Sequence, residues 1–216
     1  MLHERIKSTN SFACRKKHKE QKEVKIMDKK KDKLAVYFPG IGYHKDKPLL
    51  YYSSRLLQTY GYQNLFVEYH DLPSKVKGDK EMMKKAFEMA YVQAVEQLAD
   101  VDFEAFTEII FVGKSIGTVV AAKYAMESMV DAKQVWYTPV EATFSFAGNE
   151  PDKRIISFLG DADPWSDVDE DKRLAEELGI RLYSYPDCNH SLETGDALKN
   201  IEILQDVMNK TDEFVK

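Results

Sequence analysis

The sequence predicts an α/β fold of three layers, with helices on both faces of a mostly parallel six-stranded sheet. Two observations predict it. Short, continuous apolar runs recur along the chain, each suited to a strand buried on both faces. Between most of them lie longer stretches with apolar residues at helical spacing. Strands alternating with helices make a parallel sheet joined by crossover helices. The chain has 216 residues, which fits one domain. A domain of this size buries roughly 70% of its unfolded surface, so its core needs no disulfide or metal.

The elements follow in order. Leu34-Ala35-Val36-Tyr37-Phe38 is the first apolar run, and Pro39-Gly40 ends it. Residues 47–60 read as a helix, with Leu49, Leu50, Ser53, Leu56, Leu57 and Tyr60 on one face and Gly61 as its stop. Leu65-Phe66-Val67 is the second strand. Residues 79–98 form a long helix whose Met82, Met83, Ala86, Phe87, Ala90, Val95 and Leu98 recur at helical spacing. Its Met and Phe positions are expected in the core. Ile109-Ile110-Phe111-Val112 is the most apolar strand, and a small-residue helix follows it with Ile116, Val119, Val120, Ala122, Ala125 and Met126 inward. Gln134–Tyr137 and Ile155–Leu159 are strands ended by Pro139 and Gly160. Residues 167–178 form a helix, Ile180–Tyr185 the sixth strand, and residues 195–209 the last helix. The irregular stretch from Thr138 to Lys153 is the expected place for a small flap.

Charge divides the chain into a basic leader, residues 1–32, and a domain, residues 33–216. Residues 1 to 33 carry 12 Lys or Arg against 5 acidic residues, so the net charge of −5 leaves the remainder at −12. The low hydrophobicity of the leader predicts a disordered, solvated tail. Met27 is a candidate start. An acidic body argues against nucleic acid as a partner. No apolar run reaches the roughly 20 residues that span a bilayer, which predicts no membrane insertion. No secretory signal is visible either, and the expected location is cytoplasmic. The two cysteines, Cys14 and Cys188, form no CxxC pair and are expected to be reduced thiols.

Gly113-Lys114-Ser115-Ile116-Gly117 carries the strongest chemical signal. It reads G-x-S-x-G directly after a strand and at the start of a helix. A turn this sharp strains the Ser backbone and needs Gly on both flanks. It lifts the hydroxyl above the carboxyl edge of the sheet, beside free helix N–H groups. The same residues resemble the end of a phosphate-binding loop, but that loop needs Gly where the chain has Glu108, and a flexible loop where it has a strand. A serine hydroxyl needs a base. His190 follows the last strand, and residues just past strand carboxyl ends converge on one rim. The base needs an orienting acid. Asp161 and Asp163, both past the penultimate strand, are candidates. Asp163 is favoured because it lies further past the strand end and Pro164 stiffens the turn behind it. Asp187 is nearer His190 in sequence and is read as a turn cap.

An oxyanion needs two N–H donors. The Ile116 backbone is one candidate. The Gly-containing loop Pro39-Gly40-Ile41-Gly42-Tyr43 offers the other, from Ile41 or next from Gly42. Tyr43 and Trp165 flank the site in sequence and are read as lining an apolar acyl or aromatic pocket, or as packing residues. No metal-ligand spacing and no nucleotide or flavin motif is visible, so no cofactor is expected.

Over residues 33 to 212 the chain resembles the α/β-hydrolase superfamily. The resemblance rests on Gly113 to Gly117, on Gly160-x-x-Asp163-Pro164, and on Asn189-His190-Ser191 in the order Ser, Asp, His. It is similar to the small branch that includes dienelactone hydrolases and acyl thioesterases. It lacks a cap domain and two leading antiparallel strands, and its first loop has Pro39-Gly40 where the family commonly has His-Gly. The resemblance implies transfer of an acyl group from a small-molecule ester or thioester to water through an acyl-enzyme. An inactive small-molecule-binding protein and an acyltransferase are the alternatives on the same fold.

Overall fold

A computed structural model describes residues 32–148 and 154–216. The leader, with Cys14 and Met27, lies outside the described residues. Six strands form one sheet: β1 (Asp32–Phe38), β2 (Tyr62–Phe66), β3 (Phe106–Lys114), β4 (Lys133–Tyr137), β5 (Ile155–Gly160) and β6 (Arg181–Tyr185). All neighbouring strands run parallel, in the spatial order β2-β1-β3-β4-β5-β6. Among the described residues the α-helices are α1 (Pro48–Thr59), α2 (Lys80–Leu98), α3 (Ile116–Glu127), α4 (Val168–Glu177) and α5 (Ala197–Val215).

The strand alternation sorts the two faces. Ala35 and Tyr37 of β1 point into one core with Leu49, Leu50 and Leu57 of α1 and Val207 and Val215 of α5. Leu34, Val36 and Phe38 point the other way, against Ala90, Ala94 and Leu98 of α2 and Val120, Ala121 and Tyr124 of α3. α4 covers the same second face further along, where Ala175 meets Trp136 and Ile155. The sheet is therefore buried on both sides, which is why β1, β5 and the inner part of β3 read as apolar runs. α3 is apolar nearly all round because it packs at the centre of this layer, with nine of its residues buried.

Several elements differ from the expected bounds or facing. β2 begins at Tyr62 rather than Leu65, because Tyr62, Gln63 and Asn64 pair with β1, and Asn64 Oδ1 accepts a 3.1 Å bond from the Tyr37 hydroxyl. α5 runs on to Val215. Thr211 and Val215 are buried, and Tyr137 Oη lies 2.8 Å from Ser53 Oγ and 3.1 Å from Thr211 Oγ1, joining α1, β4 and α5. On α2 the buried face is Ala86, Ala90, Ala94 and Leu98, whereas Val95 is 40% exposed. Helical phase places Val95 about 100° round from Ala94, off the stripe. Met126 of α3 is likewise exposed.

The spatial order reverses direction between β1 and β3. A crevice at the carboxyl ends of strands forms where such a reversal occurs. The loop after β1 leads to α1 on one face, and the turn after β3 leads to α3 on the other.

One buried charge bears on stability. Asp171 of α4 is fully buried. Its Oδ2 accepts from Ser166 Oγ, while Oδ1 has no partner among the described residues. Loss of hydration, chiefly, pushes its carboxyl up to about 7, and the charges of Glu141, Asp163 and Asp167 add to this. A carboxyl raised in the folded state ionises first in the unfolded chain. Stability is therefore lost as pH rises from the ordinary value of 3.8 through about 7. Asp171→Asn is expected to raise Tm at pH 8, by about 2–4 °C for each kcal/mol relieved. The gain should vanish near pH 4 in a thermal scan.

Candidate functional site

The turn after β3 sets the site. Ser115 sits at φ 55° and ψ −126°, a strained conformation for a residue with a side chain. Its flanking glycines permit the turn. A Cβ at Gly117 would stand 2.0 Å from the Phe38 carbonyl oxygen, and one at Gly113 would stand 2.7 Å from Thr118 Cα. The Ser115 N–H donates to Tyr137 O at 3.0 Å, and Ser115 O accepts from the Thr118 N–H at 2.8 Å. Thr118 Oγ1 in turn lies 2.7 Å from Thr143 Oγ1.

Ser115 Oγ lies 2.7 Å from His190 Nε2, and His190 Nδ1 lies 2.6 Å from Asp163 Oδ2. A carboxylate only accepts, so Nδ1 carries a proton and donates to Asp163. In the neutral ring Nε2 is then left to accept from the Ser115 hydroxyl. Asp163 Oδ1 also accepts a 2.9 Å bond from the Trp165 N–H. Both oxygens are thus held, in a side chain without solvent exposure. Asp161 is turned elsewhere: its Oδ1 accepts from the Asp187 N–H at 2.6 Å. The Asp187 side chain is itself exposed, 3.9 Å from Lys199 Nζ.

The loop bearing His190 is fixed from several sides. Asn189 Oδ1 accepts from the Ser191 N–H at 2.7 Å, and Thr138 Oγ1 donates to His190 O at 3.0 Å. Gly160 lets this loop lie against the end of β5, since a Cβ there would be 2.2 Å from Cys188 O. Cys188 is a buried thiol in the core, and burial pushes its ionisation up.

The Ser115 hydroxyl opens into a cavity of about 650 Å³. Ile41 and Ile116 both line it. Ile116 is the first residue of α3, so its N–H has no intrahelical acceptor. The loop after β1 that bears Ile41 is closed by a pair of 3.2 Å bonds between Gly40 and Tyr43, with Gly42 at φ 72°. Tyr43 and Trp165 also line the cavity. Tyr43 is mostly a packing residue, buried, with its hydroxyl accepting from the Leu49 N–H at 3.1 Å. Trp165 is 39% exposed, and its ring centroid is 5.8 Å from that of His190.

Sequence reasoning missed several lining residues. Met83 and Phe87 were expected in the core; they pack against it and also face the cavity. Helical spacing marks an inward face without distinguishing a packed core from a cavity wall. The stretch expected to hold a flap contains a 3-10 turn, Glu141–Phe146. It forms a wall through Val140, Ala142 and Phe146, pinned by buried Thr143 and by Phe144 against Trp136 at 5.6 Å. Lys114 is the least expected member: it is 1% exposed and lines the cavity. A lysine at the end of the strand, just past the apolar run Ile109–Val112, was the signal for it.

The imidazole of His190 is held below its ordinary value of 6.5. Burial is the largest cause. The charges of Lys114 and Lys77 act in the same sense, against the Asp163 hydrogen bond, which raises it. Among the described residues no cluster of three or more His, Cys, Asp or Glu is placed to hold a metal ion. Nor is any helix there long and apolar enough to cross a membrane.

No protein-family model matches the chain, and no curated protein matches it. Solved structures do. The esterase Pf2001 of Pyrococcus furiosus is similar at TM-score 0.59 and 16% identity, over 87% of this chain and 84% of that one. Dienelactone hydrolase from Anabaena variabilis is similar at TM-score 0.58 and 17% identity, over 85% of each chain. XC6422 from Xanthomonas campestris, an α/β serine hydrolase without a lid, is similar at TM-score 0.52 and 15% identity, over 82% of this chain and 79% of that one. The fold is that of the α/β hydrolases, and among the described residues no cap domain is present.

Proposed function

We propose that this protein is a serine hydrolase that cleaves a carboxylic ester or thioester through an acyl-enzyme. One observation carries the reading: the unbroken hydrogen-bonded series from Ser115 through His190 to Asp163, at a strained turn that opens into a cavity. In this reading Ser115 Oγ attacks the substrate carbonyl while His190 Nε2 takes its proton. Asp163 stabilises the resulting imidazolium and holds the ring in place. The N–H groups of Ile116 and Ile41 hold the oxyanion. Collapse expels the alcohol or thiol, protonated by His190, and water then repeats the sequence on the acyl-enzyme. Met83, Phe87, Val119 and Trp165 give the cavity apolar surface for the substrate.

A fluorophosphonate probe tests the reading. It is expected to modify Ser115, seen by peptide mass, and to stop hydrolysis of a short-chain 4-nitrophenyl ester. An inert protein whose Ser115 resists the probe is instead a binding protein. An added alcohol or amine that outcompetes water for the acyl group makes it an acyltransferase.

The same assay has an expected pH dependence. Neutral His190 is the active base, so kcat/KM falls as pH drops through its ionisation. That ionisation lies below 6.5 because burial disfavours the imidazolium. The acid limb should therefore lie below 6.5, and a midpoint above that value counts against His190 as the base.

A further inference from the structure

Lys114 has no role in the acyl transfer described above, yet it is the most deeply buried cation beside it. Its side chain lies at the end of β3, next to the nucleophile, with 1% of the residue exposed. Its Nζ sits 5.0 Å from the centroid of the Tyr43 ring. Among the described residues it has no carboxylate at ion-pair distance and no hydrogen-bond acceptor. Burying an ammonium without a counter-ion is costly. Here desolvation drives it down to about 7, against the distant pull of Asp163.

The rest of the cavity has the same sign. Lys80 and Lys84 of α2 line it with Lys114, and among the described residues its walls contain no Asp or Glu. Lys84 is 3.8 Å from Glu88 on the solvent side. Lys77 stands at the rim, its Nζ 5.3 Å from the centroid of the Trp165 ring. This cluster is set in a body whose residues 34–216 carry a net charge of −12. A cleft of one sign between low-dielectric walls concentrates ligands of the opposite sign.

Resting on the proposed hydrolysis, we infer that the substrate carries an anionic group, a carboxylate or phosphate, that pairs with the Lys114 ammonium while Ser115 attacks its ester carbonyl. The anion supplies the counter-ion that the buried ammonium lacks, and Lys80 and Lys84 draw it in from the mouth. Lys114 thereby selects the substrate.

Two ester pairs test this and assign the side that holds the anion. With the anion in the acyl group, mono-4-nitrophenyl adipate is compared with 4-nitrophenyl hexanoate. With the anion in the leaving group, 3-acetoxybenzoate is compared with phenyl acetate. The expected result is a wild-type preference for the anionic member of at least one pair, and a loss of at least tenfold in that kcat/KM ratio in Lys114→Met. Equal ratios in wild type and Lys114→Met for both pairs overturn the inference. So does a Lys114→Met protein in which only the acid limb of the pH profile moves, since Lys114 would then act on His190 alone.

Binding of free adipate and 3-hydroxybenzoate, by calorimetry on Ser115→Ala with and without Lys114→Met, separates the inference from the reaction. If wild type cleaves none of the esters, the hydrolase reading fails. A tenfold weaker anion in the double variant would still support the cation site, and equal affinity would overturn it. Lys80→Ala, an exposed position, gives a second variant should Lys114→Met not fold. A threefold or greater loss of anion preference is expected there, and an unchanged preference counts against the inference.

Discussion

Ser115→Ala is expected to lower kcat by about 10⁵–10⁶-fold on a 4-nitrophenyl ester while the protein stays folded. The reason is local. The hydroxyl is the only group on the turn after β3 that faces His190 Nε2 at 2.7 Å, and without it the base has no nucleophile to activate. Alanine keeps the Cβ, so the backbone strain at φ 55° neither grows nor relaxes. The bonds that hold the turn, from the Ser115 N–H to Tyr137 O and from the Thr118 N–H to Ser115 O, are backbone bonds and survive. Tm should therefore stay within about 2–4 °C of the wild type, the equivalent of 1 kcal/mol in a chain of this size. Turnover within tenfold of wild type would place the chemistry elsewhere.

Asp163→Asn is expected to cost on the order of 10³–10⁴-fold in kcat, with KM little changed. The carboxylate accepts from two donors, the His190 Nδ1–H through one oxygen and the Trp165 N–H through the other. An asparagine keeps its carbonyl oxygen on the backbone N–H and turns its NH2 toward Nδ1. The ring must then accept at Nδ1 and carry its proton on Nε2, where it can no longer take one from Ser115. The imidazolium also loses its counter-charge. Steady-state kinetics alongside near-UV circular dichroism test this. A loss of less than tenfold in a folded variant would mean that the Asp163 charge matters little. Asp161→Asn serves as the control. Its carboxylate caps the Asp187 N–H, so its expected effect is on stability.

Part of this architecture is plain in the residues themselves. The strands at 34–38, 109–112 and 155–159 can be read because both faces of the sheet are covered, so nearly every side chain in them is apolar. β2 is harder to read because it is an edge strand, where Gln63 and Asn64 are tolerated. The end of α5 is also harder, since it is held by Thr211 and by the Tyr60 hydroxyl on Asp212 at 2.5 Å. Neither contact leaves a periodic apolar signal. Asp163 and Asp161 differ in sequence only by two positions on one turn. Their separate tasks emerge from where the 187–190 loop lies, which Gly160 allows.

The sequence by itself determined the alternating strands and helices, the strained serine turn with its two glycines, and the histidine and aspartates past later strand ends. These are local consequences of periodicity, steric size and chain order. The turn residues favoured Asp163 over Asp161, but only the tertiary structure shows it meeting His190, and that structure alone decided that Met83 and Phe87 form a cavity wall and that Lys114 is buried with no carboxylate beside it among the described residues. Each of those depends on which surfaces meet across the carboxyl rim of the sheet. The parallel order that makes them meet brings Ser115 to His190, 75 positions further along the chain, and no local rule reaches that far.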